Sequence, residues 1–296
     1  MKPKMKSTRK WKIKINKANI VVTGGSGSLG RNIIKTLIKK GAKTVVSLSR
    51  DEGLIKEAEA EINSPRVTFK IGDINDATLV KRLLKDVDII FHTAALKHVS
   101  LAEQNPREAH RINALGTLNL LDNSMNVKRF IHISSDKAIG VMNCYGATKL
   151  LGEYLVRETN SLNNGNEYLV VRCPNILGSR GSVIDVWKNQ IKKENKIRIT
   201  DPEMTRYFIT LPEAARFIVN IGFDQKSKTD KIYYPINQTQ KFVLEDLAQS
   251  FIEIFGNKST KLDVIGALPG EKKHEDYIQD VNLTPKTKLK KILQLL

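Results

Sequence analysis

Tyr145 and Lys149 stand four residues apart in the stretch SSDKAIGVMNCYGATK, Ser134 to Lys149. On a helix that spacing places both on one face. An ammonium beside a phenol favours the phenolate, so Lys149 is expected to lower the Tyr145 pKa and make Tyr145 an acid–base group for hydride-transfer chemistry. Ser135 stands ten residues before Tyr145, at the end of the buried-looking run KRFIHISS. Asp136 and Lys137 follow it directly. A carboxyl that gives a proton and an amine that takes one suit elimination of water beside an acidified C–H. The same pair would serve as a loop salt bridge at a strand end, and chemistry alone leaves both open.

A second pattern, TGGSGSLG, sets Gly24, Gly27 and Gly30 between the β-branched run NIVVT and the helical segment LGRNIIKTLIKKG. Glycines there allow a tight turn and a close backbone approach to a pyrophosphate at a helix N-terminus, with Ser26, Ser28 and Leu29 in the same loop. The G-x-x-G-x-x-G spacing resembles that of short-chain dehydrogenase/reductases. At the end of the second strand come Ser49, Arg50 and Asp51. A guanidinium at Arg50 can hold a 2′-phosphate bidentately and favours NADP, while Asp51 leaves NAD open. Asp73 and Ile74 would flank the adenine, and Thr93, Ala94 and Ala95 would pass close to the cofactor. Ser134, Tyr145 and Lys149 belong to its nicotinamide end.

These residues need a scaffold, and the 296-residue chain offers one. Buried-looking strands (NIVVT, KTVVSLS, RVTFKIGD, VDIIFHTAA, KRFIHISS, EYLVVRC) alternate with helices, including one expected through PREAHRINALGTLNLLDNS. That alternation predicts an α/β fold with a doubly wound parallel Rossmann sheet over residues 18–173. Residues 174–296 read as a smaller substrate-binding cap, with 231–236 rejoining the sheet, and residues 1–17 as a basic tail. The formal charge of +18 invites a polyanion or anionic-surface partner for that tail, although lysine is spread along the whole chain and a charge run is commonly just solvated. No apolar run approaches the roughly 20 residues that span a bilayer, and no apolar segment follows the tail to make a signal peptide. Two cysteines, Cys144 and Cys173, fit a reducing cytoplasm. The five histidines lack ligand spacing, so no metal site is expected.

The stretches TAALKHVSLAEQNPREAHRINALGT, SSDKAIGVMNCYGATKLLGE, NILGSRGSV, ITDPEMTRYFITLPEA and PGEKKHE occur in the order and spacing of one family. From about Asn19 to about Ile278 the chain resembles the UDP-N-acetylglucosamine 4,6-dehydratases (5-inverting), extended short-chain enzymes of polysaccharide and capsule biosynthesis. It is similar to their soluble, Tyr-containing branch. The resemblance implies that Tyr145, with Lys149 and Ser135, takes the C4 hydroxyl proton as hydride passes to NADP. Lys137 would then remove the C5 proton while Asp136 protonates the departing C6 oxygen. Hydride return to C6 and reprotonation of C5 from the opposite face would invert that centre.

It further implies UDP-sugar contacts by Lys97, Asn175, Ser179, Arg180, Gly181, Ser182, Arg206 and Glu271, with Lys97 also near the cofactor. It suggests a homo-oligomer with no specific nucleic-acid partner. Without the resemblance, Arg180 and Arg206 would read as solvated charges. The chain departs from the family pattern at Pro174, at Leu268 and at Gly140 to Met142, which bears on the sugar bound more than on the reaction. A UDP-sugar 4-epimerase or reductase of the same superfamily is the alternative enzyme. A non-catalytic NADP-binding scaffold with a polyanion-binding tail is the alternative outside catalysis.

Overall fold

The computed structural model of the chain describes residues 11–162, 165–229 and 231–296, so residues 1–10 of the basic tail lie outside the described residues. Apolar β-branched runs give the strands β1 (Asn19–Thr23), β2 (Thr44–Ser49), β3 (Val67–Ile71), β4 (Ile89–His92), β5 (Arg129–Ser135) and β6 (Glu167–Cys173), of which β3 ends the sheet and is the most exposed. Every residue of β4 and β5 is buried, as expected for central strands between helical layers. The helices between them are α1 (Ser28–Lys39), α2 (Glu52–Ile62), α3 (Ala77–Leu83), α4 (Val99–Gln104), α5 (Pro106–His110), α6 (Gly116–Asp122) and α7 (Cys144–Leu162).

After β6 come β7 (Asn175–Leu177), α8 (Val183–Glu194), β8 (Lys196–Ile199), β9 (Thr205–Thr210), α9 (Leu211–Phe223) and β10 (Ile232–Tyr233). The chain closes with β11 (Gln240–Val243), α10 (Leu244–Phe255), β12 (Lys261–Val264) and α11 (Lys286–Gln294).

Seven strands form one parallel sheet in the order β3-β2-β1-β4-β5-β6-β10. This is the Rossmann-like doubly wound arrangement. The order reverses between β1 and β4, and a crevice opens beyond the carboxyl ends of the strands at such a reversal. On one face, Ile33, Ile34 and Leu37 of α1 share a core with Ala215, Ile218 and Val219 of α9. The chain beyond Cys173 thus supplies the sheet with a covering helix as well as a strand. Ile13 and Ile15 pack against the same core, and the Trp11 indole donates to the Gly165 carbonyl at 2.9 Å.

The remaining segments form β11-β9-β7 and the pair β12-β8. They enclose a second core in which Trp187, Phe208, Phe242, Phe251, Leu289 and Leu293 are buried. These strands of three to six residues carry too little periodicity to stand out in the sequence.

One local departure matters for the site. The helix expected through residues 106–124 is broken by a π-turn at Arg111–Leu115, between α5 and α6. Within it, Asn113 accepts from the Leu96 amide at 2.8 Å and donates to the Leu96 carbonyl and the Thr148 hydroxyl, both at 3.0 Å. One side chain thereby ties the segment after β4 to α7, a use to which π-turns are often put.

Candidate active site

The carboxyl ends of the strands open into one cleft of about 1210 Å³. All the residues singled out above for catalysis, cofactor and substrate border it. At its floor Gly24 follows β1 with φ of 69°, and a Cβ there would come within 2.7 Å of the Ala94 amide nitrogen. A Cβ on Gly30 would meet the Gly24 carbonyl oxygen at 2.3 Å, so α1 can rest on the turn only because both are glycine. The Ser26 amide donates to Ser49 Oγ at 3.1 Å, joining the turn to the end of β2. Gly27 begins α1 without a side-chain cap, and the first turn holds no acidic residue. Leu29 lines the cleft beside it. That leaves a helix N-terminus suited to an anion.

At one end, Arg50 is half exposed and lies 3.4 Å from Glu108 and 3.7 Å from Asp73. Asp51 is occupied in capping α2, accepting from the Leu54 amide at 2.8 Å. Asp73 accepts from the Asn75 amide and side chain, both at 2.9 Å, and from Arg111 at 3.0 Å. Burial works to raise its pKa, but these donors and the Arg111 charge bring it below the usual range. Ile74 is buried, and Thr93 Oγ1 donates to the Thr23 carbonyl at 2.7 Å. Ala94 and Ala95 complete that wall.

At the other end, β5 delivers Ser134 and Ser135, and a short 3₁₀ turn presents Asp136 and Lys137. Helix α7 comes in beside them because Gly146 has no side chain. A Cβ there would meet the Lys137 carbonyl oxygen at 2.2 Å, and Asn143 Oδ1 accepts from the Gly146 amide at 2.8 Å. Glu153, eight residues beyond Tyr145 on α7 and fully buried, accepts from Ser134 Oγ and from Arg172 at two positions, all at 2.6 Å. The Ser134 hydroxyl is thus spent on fixing α7 to β5 and β6.

Asp136 is buried, and its Oδ1 accepts from Ser135 Oγ at 2.8 Å and from the Lys137 amide at 2.9 Å. Burial pushes its pKa up to about 7; Lys137 opposes the rise, and the charge of a nearby carboxylate, Glu275, adds to it. Lys137 Nζ reaches Asp136 at 3.4 Å, Asn175 Oδ1 at 3.0 Å and Glu275 Oε1 at 2.9 Å. Burial disfavours its charge, yet the two carboxylates hold its pKa above the ordinary lysine value.

The expectation for Tyr145 needs correcting. Burial raises its pKa, and the groups that oppose the rise are Lys137 and the Ser135 hydroxyl rather than Lys149. Lys149, only 3% exposed, is itself lowered to about 8 by burial. Beneath it His92 is lowered to about 3, by burial and by the Lys149 charge, and so stays neutral.

The residues expected at the sugar are divided. Lys97 Nζ donates to the Arg180 carbonyl and lies 3.4 Å from Ser179 Oγ. The Arg180 amide donates to Ser28 Oγ at 3.0 Å, which closes this loop over the glycine turn. Gly181 has φ of 68° and sits where a Cβ would strike the His98 ring at 2.4 Å; Ser182 follows at the start of α8. The Arg180 side chain is 61% exposed and leans on Glu57 at 3.2 Å. Arg206 instead turns inward, donating to the Thr205 and Lys273 carbonyls at 3.0 and 3.1 Å, with Nε 3.6 Å from Glu275. Glu271 accepts from the Leu268 amide at 3.3 Å.

Glu275 was not among the residues expected from the sequence. Its only signal there is a place at the end of PGEKKHE, four residues after Glu271.

The segment from residue 20 to residue 296 matches the model of a family described as polysaccharide biosynthesis protein. The chain belongs to that family. Among its relatives, an uncharacterized membrane protein of Methanocaldococcus jannaschii is 39% identical over 88% of this chain and 80% of its own. A UDP-N-acetylglucosamine 4,6-dehydratase (inverting) of Campylobacter jejuni is 35% identical over 91% of this chain and 80% of its own. The capsular polysaccharide biosynthesis protein CapD of Staphylococcus aureus is 34% identical, and this chain spans 47% of its length. A Rickettsia felis relative, 33% identical over 88% of this chain and 77% of its own, is named UDP-glucose 4-epimerase. Among solved structures, Pen from Bacillus thuringiensis superposes with a TM-score of 0.88 at 28% identity, covering 96% of this chain and all of that one. Among the described residues no helix is long and apolar enough to cross a membrane, and no cluster of His, Cys, Asp and Glu is disposed to hold a metal ion.

Proposed function

We propose that this protein is an NADP-dependent, C5-inverting 4,6-dehydratase of UDP-N-acetylglucosamine, acting in surface-polysaccharide precursor synthesis. The observation that carries the reading is a second acid–base pair, buried Asp136 with Lys137, beside Tyr145 and Lys149 in one cleft. A reaction that only moved hydride at C4 would need the Tyr145 pair and nothing more. The glycine turn, with two positions where any Cβ would collide, and the uncapped N-terminus of α1 fit a dinucleotide pyrophosphate. Arg50 at the end of β2 supports NADP, and Asp51, spent as a helix cap, offers a ribose less. The bound nicotinamide would accept hydride from the sugar and later return it.

The protein's own groups do the rest. Tyr145, whose pKa Lys137 and the Ser135 hydroxyl draw down against burial, takes the C4 hydroxyl proton as the phenolate, with Lys149 in the same cleft. Lys137 takes the C5 proton made acidic by the C4 ketone. Asp136, its pKa raised by burial to about 7, is protonated in a substantial fraction at neutral pH and can give that proton to the departing C6 oxygen.

Incubation with UDP-N-acetylglucosamine and NADP in D₂O tests the reading by NMR. A UDP-2-acetamido-2,6-dideoxy-hexos-4-ulose carrying deuterium at an inverted C5 is expected. The Rickettsia relative's name gives a 4-epimerase as the second reading. Conversion to UDP-N-acetylgalactosamine without loss of the C6 oxygen would establish it and refute the dehydratase.

A further inference from the structure

The ammonium of Lys137 has three hydrogen-bond donors, and Asp136, Asn175 and Glu275 are its three acceptors. In that state it has no lone pair with which to take a proton from carbon. Before it can act it must give one up. Asn175 cannot accept it. Asp136 is poorly placed to do so, because its Oδ1 already receives two shorter hydrogen bonds and its own proton is needed by the leaving oxygen. Glu275 remains.

We propose that Glu275 is the positioning residue of the elimination step, taking a proton from Lys137 across their 2.9 Å hydrogen bond and so freeing the amine that removes the C5 proton. The inference rests on the dehydratase reading above. The Nζ–H bond breaks as the Oε1–H bond forms, the pair passes from charged to neutral, and no electrons are transferred.

The geometry supports each part. Glu275 Oε2 accepts from Asn175 Nδ2 at 2.7 Å, and its side chain is only 7% exposed, so the carboxylate is held in a fixed orientation. Glu275 does not border the main cleft. It lines an adjoining cavity of about 120 Å³ that also reaches Asp136, Lys137, Asn175 and Arg206. It therefore reaches the sugar only through its neighbours, and of these Lys137 is the acid–base group.

Burial works to raise the Glu275 pKa, but Lys137 and Arg206 hold it below the usual value, so the resting pair is ionic. Taking the last water from a buried ion pair penalises its charged form. The Lys137 side chain is 21% exposed, and a sugar lying over it removes that remaining water.

Glu275→Gln keeps the side chain's length and its carbonyl acceptor but cannot take the proton. In D₂O with UDP-N-acetylglucosamine and NADP, deuterium entry at C5 and product formation are expected to fall about 100-fold. KM and the single-turnover rate of cofactor reduction, which report on binding and C4 oxidation, should stay within about threefold. Glu275→Asp, which restores a proton acceptor at a longer reach, should recover about tenfold over the Gln variant. Turnover of the Gln variant within about threefold of wild type overturns the proposal. So does a loss shared equally by C4 oxidation with a lowered Tm, which marks a merely structural residue. A wild-type protein that forms no 6-deoxy product would instead overturn the dehydratase reading, and this inference with it.

Discussion

Strand β5 carries a buried ionic cluster at each end, and the two are built on opposite terms. At its start Arg129, 1% exposed, donates through Nε to Glu167 at 2.8 Å and through Nη1 to the Gly222 and Asp224 carbonyls, both at 2.9 Å. Among the described residues one cation meets one carboxylate, and the spare donors fasten the end of α9 to the sheet. At the other end one lysine lies between two carboxylates, and Asp136 is left with a pKa near 7. The first cluster is saturated and stays fixed. The second sets Lys137 against two carboxylates, with Arg206 a second cation 3.6 Å from Glu275, and leaves Asp136 poorly compensated. A buried ion pair adds specificity when complete and acid–base chemistry when crowded.

The contrast can be broken from either side. Asp136→Asn should have the largest effect, lowering water loss about 1000-fold while reduced cofactor still forms, as followed by NMR and nicotinamide absorbance. Glu167→Gln should leave turnover of the folded protein unchanged but cost about 3 kcal/mol of stability, because Arg129 keeps a buried charge without its counter-ion. Denaturant unfolding measures that loss.

Wild-type turnover should fall as pH rises through about 7, since Asp136 acts in its protonated form. The same raised carboxyl binds its proton more tightly folded than unfolded. Its contribution to stability is therefore full below the ordinary aspartate value of 3.8 and is lost as pH rises through about 7. The smallest effect belongs to the far end of the cleft, where Arg50→Ser should shift the NADP-over-NAD preference about tenfold, read as the ratio of the two cofactors' binding constants.

The parts of this account legible in the sequence are local ones. The glycine turn, the Tyr145–Lys149 spacing and the Asp136–Lys137 pair each lie within a few residues of a strand end, and a run such as VDIIFHTAA announces burial directly. The doubly wound sheet follows from those runs in order. What escaped depends on distant chain segments. Glu275 meets Lys137 across 138 residues, from a stretch without periodicity. The π-turn at Arg111–Leu115 inserts Asn113 between two segments that no helical pattern connects. The Tyr145 pKa went the other way because spacing shows a neighbour's charge but not how deeply the phenol is buried. Arg206 reads in the sequence as a solvated charge, and only the fold shows it turned towards Glu275.

The central claim is that Tyr145 with Lys149 moves hydride while Asp136 with Lys137 removes water. Lys137→Ala, given UDP-N-acetylglucosamine and NADP in D₂O, tests it most directly. The account predicts reduced cofactor in a single turnover at close to the wild-type rate, with no deuterium at C5 and no 6-deoxy product. Deuterium entering C5 at the wild-type rate in that variant would contradict it.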